Sequence, residues 1–315
     1  MLSLIIPVYK NEASLPDLLA AVAELDAAIP DAFQAVFVVD GSPDRCFQIL
    51  HDQLPTQPFA SRLVLLARNF GSFAAIRAGL ECADGDHFAV MAADLQEPPE
   101  LVLDMARILR EGAADVVVGV RDGRHDPVLS SFASTLFWRM YRRYVVPEMP
   151  VGGVDIFACN QAFRESLLKL EERHSSLVAQ VFWLGFRRKT VNYTRRKREH
   201  GKSAWTFRKK VNYLTDSVFA FTDLPIRVLI RLGFAGAVLS LLIGLVAFIG
   251  RIAGIIAVPG YTATMITITL LGSINLLGLG IVGSYAWRTY ENTKQRPLAV
   301  AMRTETFEGK KDGQS

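Results

Sequence analysis

Two long uncharged runs near the C-terminal end limit what this chain can fold into. Leu232 to Gly250 is nearly all apolar and stops at Arg251, and Thr262 to Trp287 carries no charged residue. Crossing the hydrocarbon core of a bilayer takes roughly 20 apolar helical residues, so each run is long enough. A buried core helix has the same composition, but two such runs in succession after a charged domain argue for membrane insertion. Val258-Pro259-Gly260-Tyr261 supplies the turn of a hairpin.

Charge orients that hairpin. Arg187 to Lys210 holds eleven Lys or Arg against one acid, Glu199, and Arg227 and Arg231 follow just before the first run. Arg288, Lys294 and Arg296 follow the second run, whereas the short loop between the runs is neutral apart from Arg251. Positive residues flanking both outer ends place those ends, and both termini, on the cytoplasmic side of an inner membrane. The formal net charge of +4 is a weak guide because the charge is localised. Nucleic-acid binding is the competing reading of so many Lys and Arg. It loses because the patch adjoins a membrane run, where anionic headgroups supply the counter-charge. Val211 to Ile230 has apolar residues at helical spacing and reads as an interfacial amphipathic helix leading into the first span. Met1 to Val8 has neither the basic leader nor the cleavage site of a signal peptide. Cys46, Cys82 and Cys159 are scattered and odd in number, and indicate neither a disulfide framework nor a zinc site.

The first half alternates β-rich runs with helical patterns. Strands are predicted at Leu2–Val8, Ala35–Asp40, Arg62–Ala67, His87–Ala93 and Asp115–Val120. Helices are predicted at Glu12–Ala28, Asp44–Leu54, Ser72–Cys82 and Pro98–Glu111, with another at Leu129–Tyr144 that carries an aromatic face. Alternation at these lengths implies βαβ units and a mostly parallel sheet. The tail after Ala301 is polar and is expected to be disordered.

Met91-Ala92-Ala93-Asp94-Leu95-Gln96-Glu97-Pro98-Pro99-Glu100 delivers an acid and an amide to the end of an apolar run, immediately before a Pro-Pro-Glu helix start. Open α/β sheets bind ligands at the C-terminal lip of their strands. A carboxylate there either holds a divalent cation against a diphosphate or caps the next helix. Asp40, in Val39-Asp40-Gly41-Ser42, stands after the second strand and is suited to a base or ribose. Neither G-x-G-x-x-G nor G-x-x-x-x-G-K-[ST] occurs, so NAD-dependent hydride transfer and P-loop ATPase chemistry are unsupported.

Taken in order, several motifs resemble family 2 glycosyltransferases of the GT-A fold, specifically those acting on polyprenyl phosphates. They are Ile6-Pro7-Val8-Tyr9 with Glu12, Asp40-Gly41-Ser42, Arg68-Asn69-Phe70-Gly71, Asp94 to Glu100, and Arg198-Glu199-His200-Gly201-Lys202-Ser203-Ala204-Trp205, followed by two apolar runs. The resemblance implies a Rossmann-like, mostly parallel sheet and transfer of a sugar, with inversion, from a nucleoside diphosphate to polyprenyl (undecaprenyl) phosphate. It divides the chain into a catalytic domain (1–206), an amphipathic juxtamembrane helix (207–230), two membrane helices (231–289) and a cytoplasmic tail (290–315). Donor contacts fall to Pro7, Tyr9, Glu12, Asp40, Arg68, Asn69 and Asp94, and Mg2+ or Mn2+ falls to Asp94 and Gln96.

A phosphate acceptor is already anionic near neutral pH and needs positioning and charge compensation more than a strong base. Arg121 and Arg124 after the fifth strand are candidates for that task, with Ser134 added by resemblance and Arg198 and Ser203 in the basic loop. Asp94, Gln96, Arg121 and Asp155 form the candidate catalytic set. Two family acids are missing: Ala92 stands where the first acid of Asp-x-Asp is usual, and Val39 stands before Asp40. The Gly-Asp-Phe-Arg-like segment is also altered, to Gly152-Gly153-Val154-Asp155-Ile156-Phe157. These gaps leave open a catalytically weak nucleotide-sugar-binding partner subunit, besides transfer to another membrane lipid or lipid-linked saccharide. Relatives of this type suggest a homotetramer, and small residues along both runs allow close helix packing.

Overall fold

The computed structural model describes residues 1–122, 139, 141–143, 146–150, 154–172, 175–196, 215–253 and 260–310. Alternation along the first strands sets the architecture. In β1 (Leu2–Val8), Leu2, Leu4, Ile6 and Val8 enter one apolar cluster and Ile5 enters another on the opposite face. In β2 (Phe33–Val39), Phe33, Ala35, Phe37 and Val39 take the first face, and Val36 and Val38 the second. Successive strand residues point to opposite faces, so a strand buried on both sides reads as one continuous apolar run. Helices α1 (Leu15–Ala28), α2 (Cys46–Gln53) and α4 (Glu100–Arg110) cover the first face. Helices α3 (Ser72–Cys82), α5 (Gln161–Leu168) and α6 (Leu177–Trp183) cover the second.

The sheet is completed by β3 (Ala60–Leu66), β4 (His87–Val90), β5 (Val116–Arg121), β6 (Val154–Asn160), β7 (Arg188–Tyr193) and β8 (Ala301–Phe307). Strand order is β7-β5-β6-β4-β1-β2-β3-β8. Pairings β1–β2, β1–β4, β2–β3 and β5–β7 are parallel, whereas β6 and β8 run antiparallel to their neighbours. The mostly parallel α/β expectation is met. As a result, the C-terminal ends of β1, β2, β3, β4, β5 and β7 and the N-terminal end of β6 share one lip.

Three expectations are corrected. The tail expected to be disordered after Ala301 instead forms β8, which pairs with β3 from Ser61↔Phe307 to Leu66↔Ala301. An edge strand is held by its backbone ladder, so it needs no apolar pattern of its own. His51 Nδ1 lies 2.7 Å from Glu305 Oε2 and fastens this strand to α2. Second, Val211–Ile230 is not one helix. Helical turns at 215–221 stop at Thr222 and Asp223, and a new helix, α7 (Leu224–Ile252), starts there. Pro225 fits the break, since it has no N–H to donate to Phe221 O and its ring crowds that carbonyl. Third, β4 ends at Val90 rather than Ala93. Met91 N–H still donates to Ile5 O at 3.0 Å, after which the chain turns and Leu95 takes φ +52°.

Helices α7 and α8 (Tyr261–Thr293) span 29 and 33 residues. Among the described residues, one segment, Leu270–Thr293, is long and apolar enough to cross a membrane, with mean hydropathy 1.4 and none of its apolar window buried. The far end of α8 returns to the domain. Arg288 Nη2 donates to Asp216 at 2.8 Å, the Tyr285 hydroxyl donates to Thr222 O at 3.2 Å, and Ala67 N–H donates to Val300 O at 2.9 Å. The start of α7 and the end of α8 are therefore tied to the same side of the α/β domain.

Candidate active site

On the β1–β3 side of the lip, the loops are locked to one another. Asp40 follows β2 and is 2% exposed. Its two carboxylate oxygens accept the N–H groups of Phe70 (2.7 Å) and Gly71 (2.9 Å) where α3 begins, and Asn69 Nδ2 donates to its carbonyl at 3.3 Å. Burial pushes the Asp40 carboxyl above its ordinary value, against those two N–H groups and the charge of Arg68. Gly41 has φ +55°, and a Cβ there would sit 2.3 Å from the Arg68 carbonyl carbon. Only glycine allows that turn and that backbone approach together.

Next to it, Lys10 N–H (φ +57°) donates to Ser42 Oγ at 2.8 Å, and Ser42 Oγ donates to Asp44 Oδ1 at 2.6 Å. Arg45 donates to Glu12 Oε1 from Nε at 2.9 Å and from Nη2 at 2.6 Å, and its backbone N–H donates to Oε2 at 3.1 Å. Arg45's backbone and side-chain donors hold the Glu12 carboxyl below its ordinary value. Glu12 thus stitches the loop after β1 to the loop after β2. Pro7 sits in β1 opposite Val38, and Tyr9 caps that strand, with its N–H donating to Asn11 Oδ1 at 3.2 Å. Arg68 is exposed, with its guanidinium 4.1 Å from the Phe70 ring centroid.

The β4–β7 side is built around Asp94. Its Oδ1 accepts the Gln96 N–H at 3.3 Å, and its side chain stays partly exposed at the lip. The chain leaving β7 reaches across to this turn. Arg196 N–H donates to Gln96 O at 2.8 Å, Arg195 Nη2 donates to Gln96 Oε1, and Arg195 Nε lies 3.8 Å from Glu97 Oε1. Glu97 is 2% exposed. Sequence reasoning counted Arg195 in the basic run without singling it out. No local pattern singles it out, because it is placed by the pairing of β7 with β5. Arg121 closes β5 opposite Tyr193, and Asp122 N–H donates to Tyr193 O at 2.8 Å. Among the described residues, the buried Nε atoms of Arg121 and Arg195 have no hydrogen-bond acceptor. Asp155 lies in β6, where the β5 register shifts between Gly119 and Val120, which puts its backbone on the same lip. Its side chain lies outside what is described, as do Arg124, Ser134, Arg198 and Ser203.

The structure therefore gathers Asp40, Arg68 and Asn69 at one end of the lip and Asp94, Gln96, Glu97 and Arg195 at the other, with Glu12 engaged by Arg45. No cluster of three His, Cys, Asp or Glu occurs among the described residues. Hard oxygen donors are still present in the Asp94 carboxylate and the Gln96 amide, a set that suits Mg2+ or Mn2+ once substrate oxygens complete it.

Asp94 thus stands partly exposed at the lip of a mostly parallel sheet, with Gln96 two residues on bonded to Arg195. Residues 3–171 match the sequence profile described as Glycosyl transferase family 2, and this chain belongs to that family of glycosyltransferases. Relatives extend the likeness over nearly the whole chain. The undecaprenyl-phosphate 4-deoxy-4-formamido-L-arabinose transferase of Pseudomonas paraeruginosa is 32% identical over 301 residues, covering 94% of this chain and 88% of that one. A prophage bactoprenol glucosyl transferase homolog of Escherichia coli is 27% identical over 302 residues, covering 96% and 98%. These names match the resemblance read from the motifs. Among solved structures, S. aureus TarS 1–349 in complex with UDP-GlcNAc is similar over 70% of this chain and 67% of that one, at 20% identity and a TM-score of 0.44.

Proposed function

We propose that this enzyme transfers a sugar from a nucleoside diphosphate to polyprenyl phosphate at the cytoplasmic face of a membrane, with inversion at the anomeric carbon. The observation that carries the reading is the lip itself. Gln96 after β4 accepts a hydrogen bond from Arg195, which follows β7, beside the partly exposed Asp94, and Arg121 ends β5 on the same lip. The names of the relatives, which include undecaprenyl-phosphate and bactoprenol transferases, support the acceptor class.

The β1–β3 half holds the nucleoside. Its loops are fixed by Asp40 and Glu12, which keep Tyr9, Arg68 and Asn69 at this end of the lip. A divalent cation held by Asp94 and Gln96 would neutralise charge on the leaving diphosphate. Arg121 holds the acceptor phosphate. Its place at the end of β5 on the lip suits a planar donor for bidentate contact with an anion. Because that phosphate is already ionised, the protein's work is placement in line with the sugar rather than proton removal. Arg124, Ser134, Arg198 and Ser203 are assigned to the same acceptor side.

Helices α7 and α8 form a membrane hairpin that keeps the prenyl tail in lipid while its phosphate reaches the lip. Support comes from their length, from exposed apolar residues such as Phe234 and Leu276, and from the return of the chain to β3 through β8. That return also revises the domain division, since the catalytic unit then comprises 1–206 together with β8. A tetramer and anionic-lipid contacts through the basic loop belong to the same reading. The missing acid at Ala92 favours a second reading, a weakly catalytic partner subunit that binds nucleotide sugar.

The test incubates purified protein with undecaprenyl phosphate, Mg2+ or Mn2+, and labelled UDP- and GDP-sugars, then counts label extracted into organic solvent. Product from one donor supports the transferase. Nucleotide binding without product from any donor turns the assignment to the partner subunit.

A further inference from the structure

Among the described residues, Arg195 is held by side-chain contact against Gln96, which is expected to face the donor diphosphate. It is not free to sample solvent. Its neighbour Arg196 is fixed by the 2.8 Å bond from N–H to Gln96 O, and Arg196 Nη2 lies 3.3 Å from Glu100 Oε2. Tyr193, two residues before Arg195, is locked into the β5–β7 pairing. The guanidinium is thereby delivered to Gln96 Oε1, with the buried carboxylate of Glu97 on its Nε side at 3.8 Å. Among the described residues, that Nε has no hydrogen-bond acceptor.

A guanidinium and a divalent cation cannot share one amide oxygen, because like charges at that separation repel strongly. Arg195 holds the Gln96 oxygen, so a cation taking that oxygen must displace it. A diphosphate at the lip offers the guanidinium a better partner, since planar N–H pairs match phosphate oxygens and charge-assisted bonds outweigh one to a neutral amide. We propose that Arg195 is a positioning residue that couples the two ligands. It blocks Gln96 until a nucleoside diphosphate draws its guanidinium onto the phosphates, and only then is the amide oxygen open to a divalent cation. With Ala92 in place of the first acid, Asp94 and Gln96 are the candidate cation ligands at this turn, so a block on Gln96 bears on half of that set.

This inference rests on the reading of Asp94 and Gln96 as cation ligands, and the experiment separates the two. Mn2+ binding to the full-length protein in detergent is measured by electron paramagnetic resonance, without nucleotide and with UDP or GDP. Coupling between two ligands is reciprocal and typically about 5- to 150-fold. Arg195→Gln is expected to tighten binding of Mn2+ alone by about 5-fold or more, to weaken binding of nucleoside diphosphate, and so to shrink the coupling. A merely structural arginine would do the opposite, loosening Mn2+ binding when removed. Arg195→Lys keeps a cation and serves if the glutamine variant does not fold. With only a point charge it should give a smaller tightening in the same direction. Mn2+ binding alone that is unchanged or weaker in the folded variant overturns the inference. Asp94→Asn tests the underlying reading: if wild-type Mn2+ affinity survives it, the cation site lies elsewhere. Loss of Mn2+ binding in Asp94→Asn without tightening in the Arg195 variants defeats the coupling alone.

Discussion

The two halves of the lip differ in how their polar groups are satisfied. On the β1–β3 side, Asp40, Ser42, Asp44, Glu12 and Arg45 answer one another within the protein. On the β4–β7 side, Arg121 and Arg195 each hold a buried Nε without an acceptor among the described residues. Buried polar groups are normally paired, and exceptions tend to mark function. The first half is a finished frame, and the second, with the partly exposed Asp94 and the Arg195–Gln96 contact at its lip, is the poised one. A substitution in the frame should therefore cost stability and binding together, whereas one in the poised half should cost chemistry with little change in stability.

The largest separation is expected at Asp94. Asp94→Ala should lower the rate of sugar transfer by about 10²–10³-fold, while chemical unfolding in detergent stays within about 0.5 kcal/mol of the parent. Destabilisation as large as the loss of activity would break the contrast. Gly41→Ala attacks the frame. Positive φ and backbone contact at 2.3 Å should together cost about 2–4 kcal/mol, read in the same unfolding experiment, with nucleotide affinity falling in parallel. Ending the chain before Ala301 removes β8 and bares the β3 edge. A loss of about 1–3 kcal/mol and new self-association in light scattering are expected.

The smallest effect is expected far from the lip, at Asp115, where β5 begins. Arg187 donates to it from Nη2 at 2.8 Å and from Nε at 3.0 Å, and that pairing, the largest influence, holds its carboxyl below the ordinary value of 3.8. A depressed folded-state pKa stabilises the protein above the unfolded value, and this contribution is lost as pH falls through the folded one. Asp115→Asn should therefore flatten the acid limb of the stability curve below about pH 4 and leave transfer at neutral pH untouched.

The parts of the fold buried on both faces were legible in the sequence. The continuous apolar runs of β1, β2 and β3 and the apolar periodicity of α1, α3 and α4 announce a parallel sheet with helices on either side. Strands stabilised from outside their own sequence were not. β7 reads Arg-Lys-Thr-Val-Asn-Tyr and β8 reads Ala-Met-Arg-Thr-Glu-Thr-Phe. Both are edge strands whose ladders, rather than apolar side chains, hold them in place. β6 carries an apolar run, Ile156 to Cys159, too short for its pattern to separate a strand from a buried helical turn. In the site, Asp94 was legible because a strand, a carboxylate and a helix start follow in order. The partnership of Gln96 and Arg195 spans 99 residues and exists only because β7 lies beside β5, a neighbour relation that no local pattern encodes. Likewise, Asp40 was expected to face a ligand, and nothing in its own segment announces that the α3 N-terminus takes both its oxygens.

The account turns on a charged acceptor that needs placement rather than deprotonation. One donor that supports transfer should be offered, in the same detergent and at equal concentrations, undecaprenyl phosphate and undecaprenol. The account predicts labelled lipid from the phosphate alone. Equal transfer to the alcohol would contradict it, because a hydroxyl acceptor needs a positioned base and would move the chemistry from Arg121 to a carboxylate such as Asp155.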